Sequence, residues 1–270
     1  MTQRPPTPRP LPPGAYLEGA PNFRDLGGYG VPGLGRVRHG KLFRSDVLSQ
    51  LTDPDLDKLA PLGIRLVMDL RMPEERHKEQ NRWPAGHPVD TVTFDARPAM
   101  AEAQATRWRD LVAAGQLSGK EARGMMFGVY RRMPRSLASD LTVLFERLDT
   151  QEPPTTLIHC TAGKDRSGFV CAMLLWSLGV PMETILEDYL ITGQRRPPER
   201  FAAERLAGLV DTLTEEGFAV LKAFAMVDED YLATAFEQIR ADFGSVDAYL
   251  EALCGLDGAR RERLRAKLID

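Results

Sequence analysis

Long apolar runs are missing from this chain of 270 residues. A membrane-spanning helix needs roughly 20 consecutive apolar residues, so no transmembrane segment is expected. Charge of one sign is not in excess either. Lys and Arg number 35 against 38 Asp and Glu, a net charge of -3, so no nucleic-acid partner is expected and any basic site must be local. Cysteine is scarce. Cys160, Cys171 and Cys254 are too few for a disulfide framework, and with His39, His77, His87 and His159 they make no short metal-ligand pattern. Neither a structural metal nor a cofactor is expected. The stretch from Met1 to Pro13 is Pro-rich and lacks the apolar centre of a secretory signal. Cytoplasmic residence is the default expectation, with export by another route left open.

What is present is an ordinary globular composition, 43% hydrophobic and 27% charged. Residues 1–14 carry prolines at 5, 6, 8, 10, 12 and 13 and are expected to form a disordered lead-in. From residue 15 to 270 no linker-like stretch interrupts the pattern, so a single domain is expected. Strands are predicted over Arg36 to Arg44, Ile64 to Leu70, Val89 to Phe94 and Thr155 to His159. A helix capped by Thr52 or Asp53 is predicted to run to Leu62. Ala99 to Leu148 reads as helical, with breaks near Gly115 to Gly119 and at Pro134. Phe169 to Leu178 is apolar nearly all round and reads as a buried helix, and Pro181 suits the first turn of the next. Pro197 to Asp270 is helical with stops at Gly217, Gly244 and Gly255 to Gly258. Strands alternating with helices, then a helical tail, predict an α/β fold with a central, mostly parallel sheet flanked by helices.

The segment that carries chemistry is His159-Cys160-Thr161-Ala162-Gly163-Lys164-Asp165-Arg166-Ser167-Gly168. A buried strand ending at His159, a tight turn and a buried helix from about Arg166 would aim successive backbone N–H groups and the positive end of a helix dipole at one point. Cys160 opens that turn, and the same field favours a thiolate. Arg166, six residues on, can return two parallel hydrogen bonds to a phosphate. Thr161, Ala162, Gly163, Lys164, Asp165 and Arg166 are the expected phosphate-binding residues. Ser167 can hydrogen-bond the sulfur, and His159 is expected to hold the loop's shape through backbone bonds. Gly163-Lys164 is no nucleotide-binding loop, because Asp165 stands where Ser or Thr should coordinate magnesium. Cys171 and Cys254 read as small buried hydrophobes.

The loop resembles that of the cysteine-based protein tyrosine phosphatases, within them the bacterial atypical family with an H-C-x-x-G-K-D-R-[ST]-G signature. Further matching segments are Asn22-Phe23-Arg24-Asp25-Leu26-Gly27-Gly28-Tyr29 with Phe43-Arg44-Ser45, Asp69-Leu70-Arg71 with Glu74 and Glu75, and Phe243 to Leu250. The resemblance implies a tyrosine-phosphatase-like domain acting on phosphotyrosine, with phosphoserine/threonine and phosphoinositides as possible further substrates. It also implies a mobile lid within 200–226, against the simpler expectation of a static helical pair packed on the core. Lys164, expected at the loop's rim, offers a second cation for a multiply phosphorylated head group or is a solvated surface lysine.

The leaving oxygen needs a proton, so an Asp or Glu must stand opposite the sulfur. Asp69 and Asp95 end predicted strands, and Asp140 and Asp149 lie in a helical pattern. Asp69 is expected to pair with Arg71 or Arg44. Asp165 lies in the loop itself and could by position be a helix cap, but it matches the residue assigned this role in the atypical family, and the resemblance makes it the expected acid, then base for the water. Rival functions are an inositol-phosphate or phosphoinositide phosphatase, a non-catalytic phosphate-binding module, and a sulfur-transfer or arsenate-reducing enzyme. The last would need a resolving cysteine, and Cys171 is expected to be out of reach down a buried helix.

Overall fold

The computed structural model describes residues 17–94, 116–196 and 214–270. The lead-in expected over 1–14 and the candidate acid Asp95 fall outside them. Seven short strands form in chain order: β1 (Arg24–Asp25), β2 (Gly30–Val31), β3 (Gly35–Arg36), β4 (Leu42–Ser45), β5 (Leu66–Asp69), β6 (Asp90–Thr93) and β7 (Thr156–His159). Five make one sheet in the order β1-β4-β7-β5-β6, and β2 pairs with β3 as a separate hairpin. Within the large sheet only β1 runs antiparallel to its neighbour; β4, β7, β5 and β6 are mutually parallel. The predicted mostly parallel sheet is therefore present, with β7 at its centre.

Alternation along the strands divides the interior in two. Leu42, Leu66, Met68 and Ile158 face a large core built with the helices, and Phe43, Val67 and Leu157 face a smaller one. The smaller core is closed by α1 (Asp53–Leu59), which Thr52 caps reciprocally with Asp55, as expected of its sequence. The remaining described helices are α2 (Pro73–Lys78), α3 (Gly119–Ser136), α4 (Ala138–Leu148), α5 (Arg166–Leu178), α6 (Met182–Arg195), α7 (Glu215–Ala225), α8 (Glu229–Phe243), α9 (Val246–Cys254) and α10 (Gly258–Leu268). In the tail, α8 packs on α3, α9 on α4 and α10 on α5. Among the described residues no helix is long and apolar enough to cross a membrane.

Three element boundaries differ from expectation, each for a local reason. The predicted strand from Arg36 to Arg44 is split between β3 and β4, because Gly40 turns at φ +70° and gives its N–H to Asp25 Oδ2. Pro134 does not break α3, which continues to Ser136 and ends at Leu137. Gly217 does not stop a helix; it sits in the first turn of α7, where its N–H is capped by Thr214 Oγ1 at 3.2 Å.

Candidate active site

The central strand β7 delivers the turn 160–165 to the carboxyl edge of the parallel strands, with α5 leading away. That edge, where the chain crosses between neighbouring strands, is where open α/β sheets hold ligands. Here Ser45 and Asp69 lie in register with His159 on either side. Cys160 follows directly and is only 2% exposed.

The carbonyls of the turn are engaged on its outer side. Thr161 O accepts from the Val47 N–H at 3.0 Å. Asn22 Nδ2 donates to Ala162 O (3.3 Å) and Gly163 O (3.1 Å). Arg44 donates to Gly163 O through Nε (3.0 Å) and Nη2 (2.8 Å), and to Lys164 O at 3.2 Å. In a trans peptide the N–H points opposite the carbonyl of the preceding residue. The N–H groups of Ala162, Gly163, Lys164 and Asp165 therefore face the concave side of the turn, where the first-turn N–H groups of α5 add to them. Such close approach needs glycine twice. Gly163 has φ +64°, and a Cβ on it would lie 2.4 Å from Ser45 O; one on Gly168 would lie 2.9 Å from the Tyr189 ring.

Asn22 and Arg44 are themselves held by a buried cluster. Arg24 donates to Asn22 Oδ1 at 2.6 Å. Asp188 accepts from Arg24 Nε at 2.8 Å, Arg44 Nη1 at 2.7 Å and the Tyr29 hydroxyl at 2.9 Å. Burial alone would raise the Asp188 pKa; the two guanidinium groups hold it well below the usual carboxylate range. The cluster thus stabilises the fold at neutral pH, and that contribution is lost as pH falls below the unfolded value of about 3.9 and through the folded one. Asp188→Ala leaves two buried cations underpaired. An unfolding titration at pH 7 is expected to show a loss of about 3–5 kcal/mol.

Arg166 is oriented from β5 and α2. Its Nη1 donates to Leu70 O at 3.0 Å and Glu75 Oε2 at 2.6 Å, and its Nη2 to Glu75 Oε1 at 2.8 Å. Glu75 also accepts from the Thr161 hydroxyl and, at 2.7 Å, from the Met72 N–H. Burial would push the Glu75 carboxyl up, but Arg166 and then Thr161 hold it down at about 2. Burial works against the charged form of Arg166 too, and Glu75 outweighs it, raising the guanidinium's pKa. A guanidinium has five N–H donors. Three are engaged by the described residues, and among these none takes Nε–H or the second Nη2–H, which lie on one edge of the fork.

His159 is fully buried, with Nδ1 3.2 Å from Cys160 O and Nε2 3.1 Å from Asn81 Nδ2. Those partners require Nδ1 to donate and Nε2 to accept, and burial lowers the ring's pKa, favouring the neutral form. Asn81 also donates to Asp69 at 3.4 Å.

The candidate acids separate clearly. Asp69 is 2% exposed and paired with Arg71 through two hydrogen bonds of 2.8 and 2.6 Å, as its sequence context led one to expect. Asp140 is buried in α4, and Asp149 pairs with Arg260, Arg263 and Lys267 of α10. Asp165 precedes α5, yet its side chain makes no capping bond. It turns instead to the Tyr130 hydroxyl, 2.6 Å from Oδ1.

Two expectations about the loop are corrected. Lys164 does not stand at the rim; it is 4% exposed, and its Nζ donates to Phe224 O (2.5 Å) and Met226 O (3.2 Å). The carbonyl end of α7 carries partial negative charge and draws the ammonium inward. Ser167 Oγ is buried and has no hydrogen-bond partner among the described residues, so the expected bond to the sulfur is not formed here. Of the segment expected as lid or static pair, 200–213 falls outside the described residues. The described α7 lies against α3, where a Cβ on Gly119 would come within 2.7 Å of Ala219 Cβ.

Sequence reasoning quoted Glu75, Asn22 and Arg24 without roles, offered Arg44 only as a partner for Asp69, and passed over Tyr130 and Asp188; Arg44 in fact pairs with the Asp188 carboxylate. The local signal for Arg24 and Arg44 was slight, each following a phenylalanine (Phe23, Phe43) in a short strand, where an arginine drawn into the core needs a counter-charge. Among the described residues no three His, Cys, Asp or Glu side chains converge as a metal site.

A model of the tyrosine phosphatase family matches residues 15–270. A Cupriavidus necator protein whose name places it provisionally among tyrosine-protein phosphatases is 33% identical over 241 residues, 88% of this chain and 83% of that one. The triple specificity protein phosphatase PtpB of Mycobacterium tuberculosis is 31% identical over 284 residues, 94% of this chain and 98% of its own. Among solved structures, P. aeruginosa TpbA covers 73% of this chain and 86% of its own at 17% identity, with a TM-score of 0.29, too low to bear on the fold.

Proposed function

The chain belongs to the tyrosine phosphatase family, and from that membership we propose that it hydrolyses phosphomonoesters, phosphotyrosine foremost, through a phosphorylated Cys160. The observation that carries this reading is the two-donor edge left on Arg166 after Glu75 and Leu70 have oriented it beside the turn's inward N–H groups. In it the Cys160 thiolate attacks phosphorus and the ester oxygen departs. Arg166 and the N–H groups of 162–166 stabilise charge on the three equatorial oxygens. Asp165 protonates the leaving oxygen, then takes a proton from the water that cleaves the sulfur–phosphorus bond. Its turn away from the capping position supports the acid over the cap.

The breadth named for PtpB extends the proposal to phosphoserine/threonine and phosphoinositides. The rim lysine that would have argued for lipids is engaged by α7, so phosphotyrosine comes first. A panel of phosphotyrosine peptide, phosphoserine peptide and phosphoinositide vesicles tests this, with phosphate release expected most strongly from the first. No Cys160-dependent release from any of them would refute the enzyme reading.

Asp165→Asn supplies a second test. Its kcat on phosphotyrosine peptide is expected to fall about 10²-fold, with loss of one limb of the pH–rate profile. Near wild-type kcat with both limbs intact would remove Asp165 from the mechanism.

A further inference from the structure

A carboxylate on a turn swings about two side-chain torsions, yet an acid that serves a leaving oxygen must be placed to within a fraction of an ångström. Asp165 gains no such restraint from its own helix. Its restraint comes from α3 and α6. The Tyr130 hydroxyl lies 2.6 Å from Asp165 Oδ1 and 2.6 Å from the Tyr189 hydroxyl, with both tyrosines fully buried. An ionised carboxylate can only accept. Tyr130 must therefore spend its single proton on Asp165, and its oxygen accepts from Tyr189. The donor order Tyr189 to Tyr130 to Asp165 is thereby set.

The rings cannot easily turn away. Tyr130 stacks on Tyr231 with centroids 5.5 Å apart and planes at 27°, and meets the Tyr189 ring edge-on at 6.4 Å. Oδ1 also lies 3.3 Å from Lys164 Nζ. Oδ2 accepts no hydrogen bond among the described residues, and the Asp165 side chain is 28% exposed. We infer that Tyr130, backed by Tyr189, is a positioning residue for the proton-transfer step: it anchors Asp165 by Oδ1 and leaves Oδ2 to exchange the proton with leaving group and water. This rests on the reading of Asp165 as the acid.

Among the described residues, the ionisable groups facing Asp165 are Lys164 and Arg166 from its own turn and helix, Tyr130 from α3, Tyr189 from α6, Tyr231 from α8 and Arg196 just after α6, which lines the same cavity. Of these only Tyr130 and Lys164 reach the carboxylate directly. A donor to the ionised form favours that form. Removing the Tyr130 hydroxyl should therefore move the profile limb that Asp165→Asn abolishes toward higher pH.

The test is Tyr130→Phe, which keeps the ring, in wild-type and Asp165→Asn backgrounds. On phosphotyrosine peptide the single variant should lose about tenfold in kcat with KM unchanged, and its limb should move up. On nitrophenyl phosphate, whose leaving group needs little protonation, the loss should be smaller. In Asp165→Asn the second change should cost nothing further. Equal losses in both backgrounds, or wild-type kcat in folded Tyr130→Phe, would overturn the inference while leaving the acid intact. Wild-type kcat in Asp165→Asn would overturn both. If Tyr130→Phe does not fold, Tyr189→Phe runs the same cycle, with an expected loss of about two- to threefold. An additive result there also overturns the inference.

Discussion

Cys160→Ser is expected to lower kcat by about 10⁴-fold or more on every substrate the enzyme accepts, while inorganic phosphate still binds. The two side chains differ by one atom at a site already 2% exposed, so packing changes little. What changes is the nucleophile. Sulfur attacks phosphorus readily, whereas a serine hydroxyl is a poor nucleophile until a base takes its proton. The turn's anion-binding surface is backbone and survives the exchange. Steady-state turnover together with phosphate competition therefore separates two possibilities. A variant that binds phosphate but does not turn over supports attack by sulfur. One that keeps more than about a tenth of wild-type kcat would mean that water attacks directly and the turn merely binds.

Arg166→Lys is expected to lose about 10²- to 10³-fold in kcat/KM, with weaker inhibition by phosphate. The count of donors explains why so conservative a change costs so much. Arginine satisfies Leu70 O and both oxygens of Glu75 and still has two N–H groups on one edge. An ammonium has three donors and no planar fork, so it cannot give a parallel pair of hydrogen bonds to Glu75 and another to phosphate. It also leaves the Glu75 charge nearer to a bound dianion. With Arg166 in place Glu75 takes up a proton only as pH falls toward about 2. An acidic limb near neutrality therefore does not belong to Glu75. A kcat/KM within about threefold of wild type would show that one point charge suffices and that the fork has no role.

Much of the fold was legible because its signals are local. Ile64 to Leu70 and Thr155 to His159 are short apolar runs too brief for helices, and they form the neighbouring central strands β5 and β7. Thr52 with Asp55 announces a capped helix start. The misplacements at Arg36 to Arg44 and at Gly217 arose where a distant or neighbouring side chain claimed a glycine N–H, Asp25 in one case and Thr214 in the other. A glycine by itself does not say whether it ends an element or lies inside one.

By itself the sequence determined the strand–turn–helix that carries Cys160 and Arg166, since every part of it lies within about a dozen consecutive residues and its geometry follows from glycine placement and helix polarity. Only the tertiary structure decided how that turn is held and what its remaining side chains do. Asn22 and Arg44 meet the turn's carbonyls from more than a hundred residues away, and Glu75 reaches Arg166 across 91 positions. Lys164, foreseen at the rim, is drawn in by a helix end 60 residues downstream. Asp165 is turned away from the capping position and toward Tyr130, 35 residues upstream. Hydrogen bonds act over about 3 Å, and only the packed fold brings groups so distant along the chain within that reach.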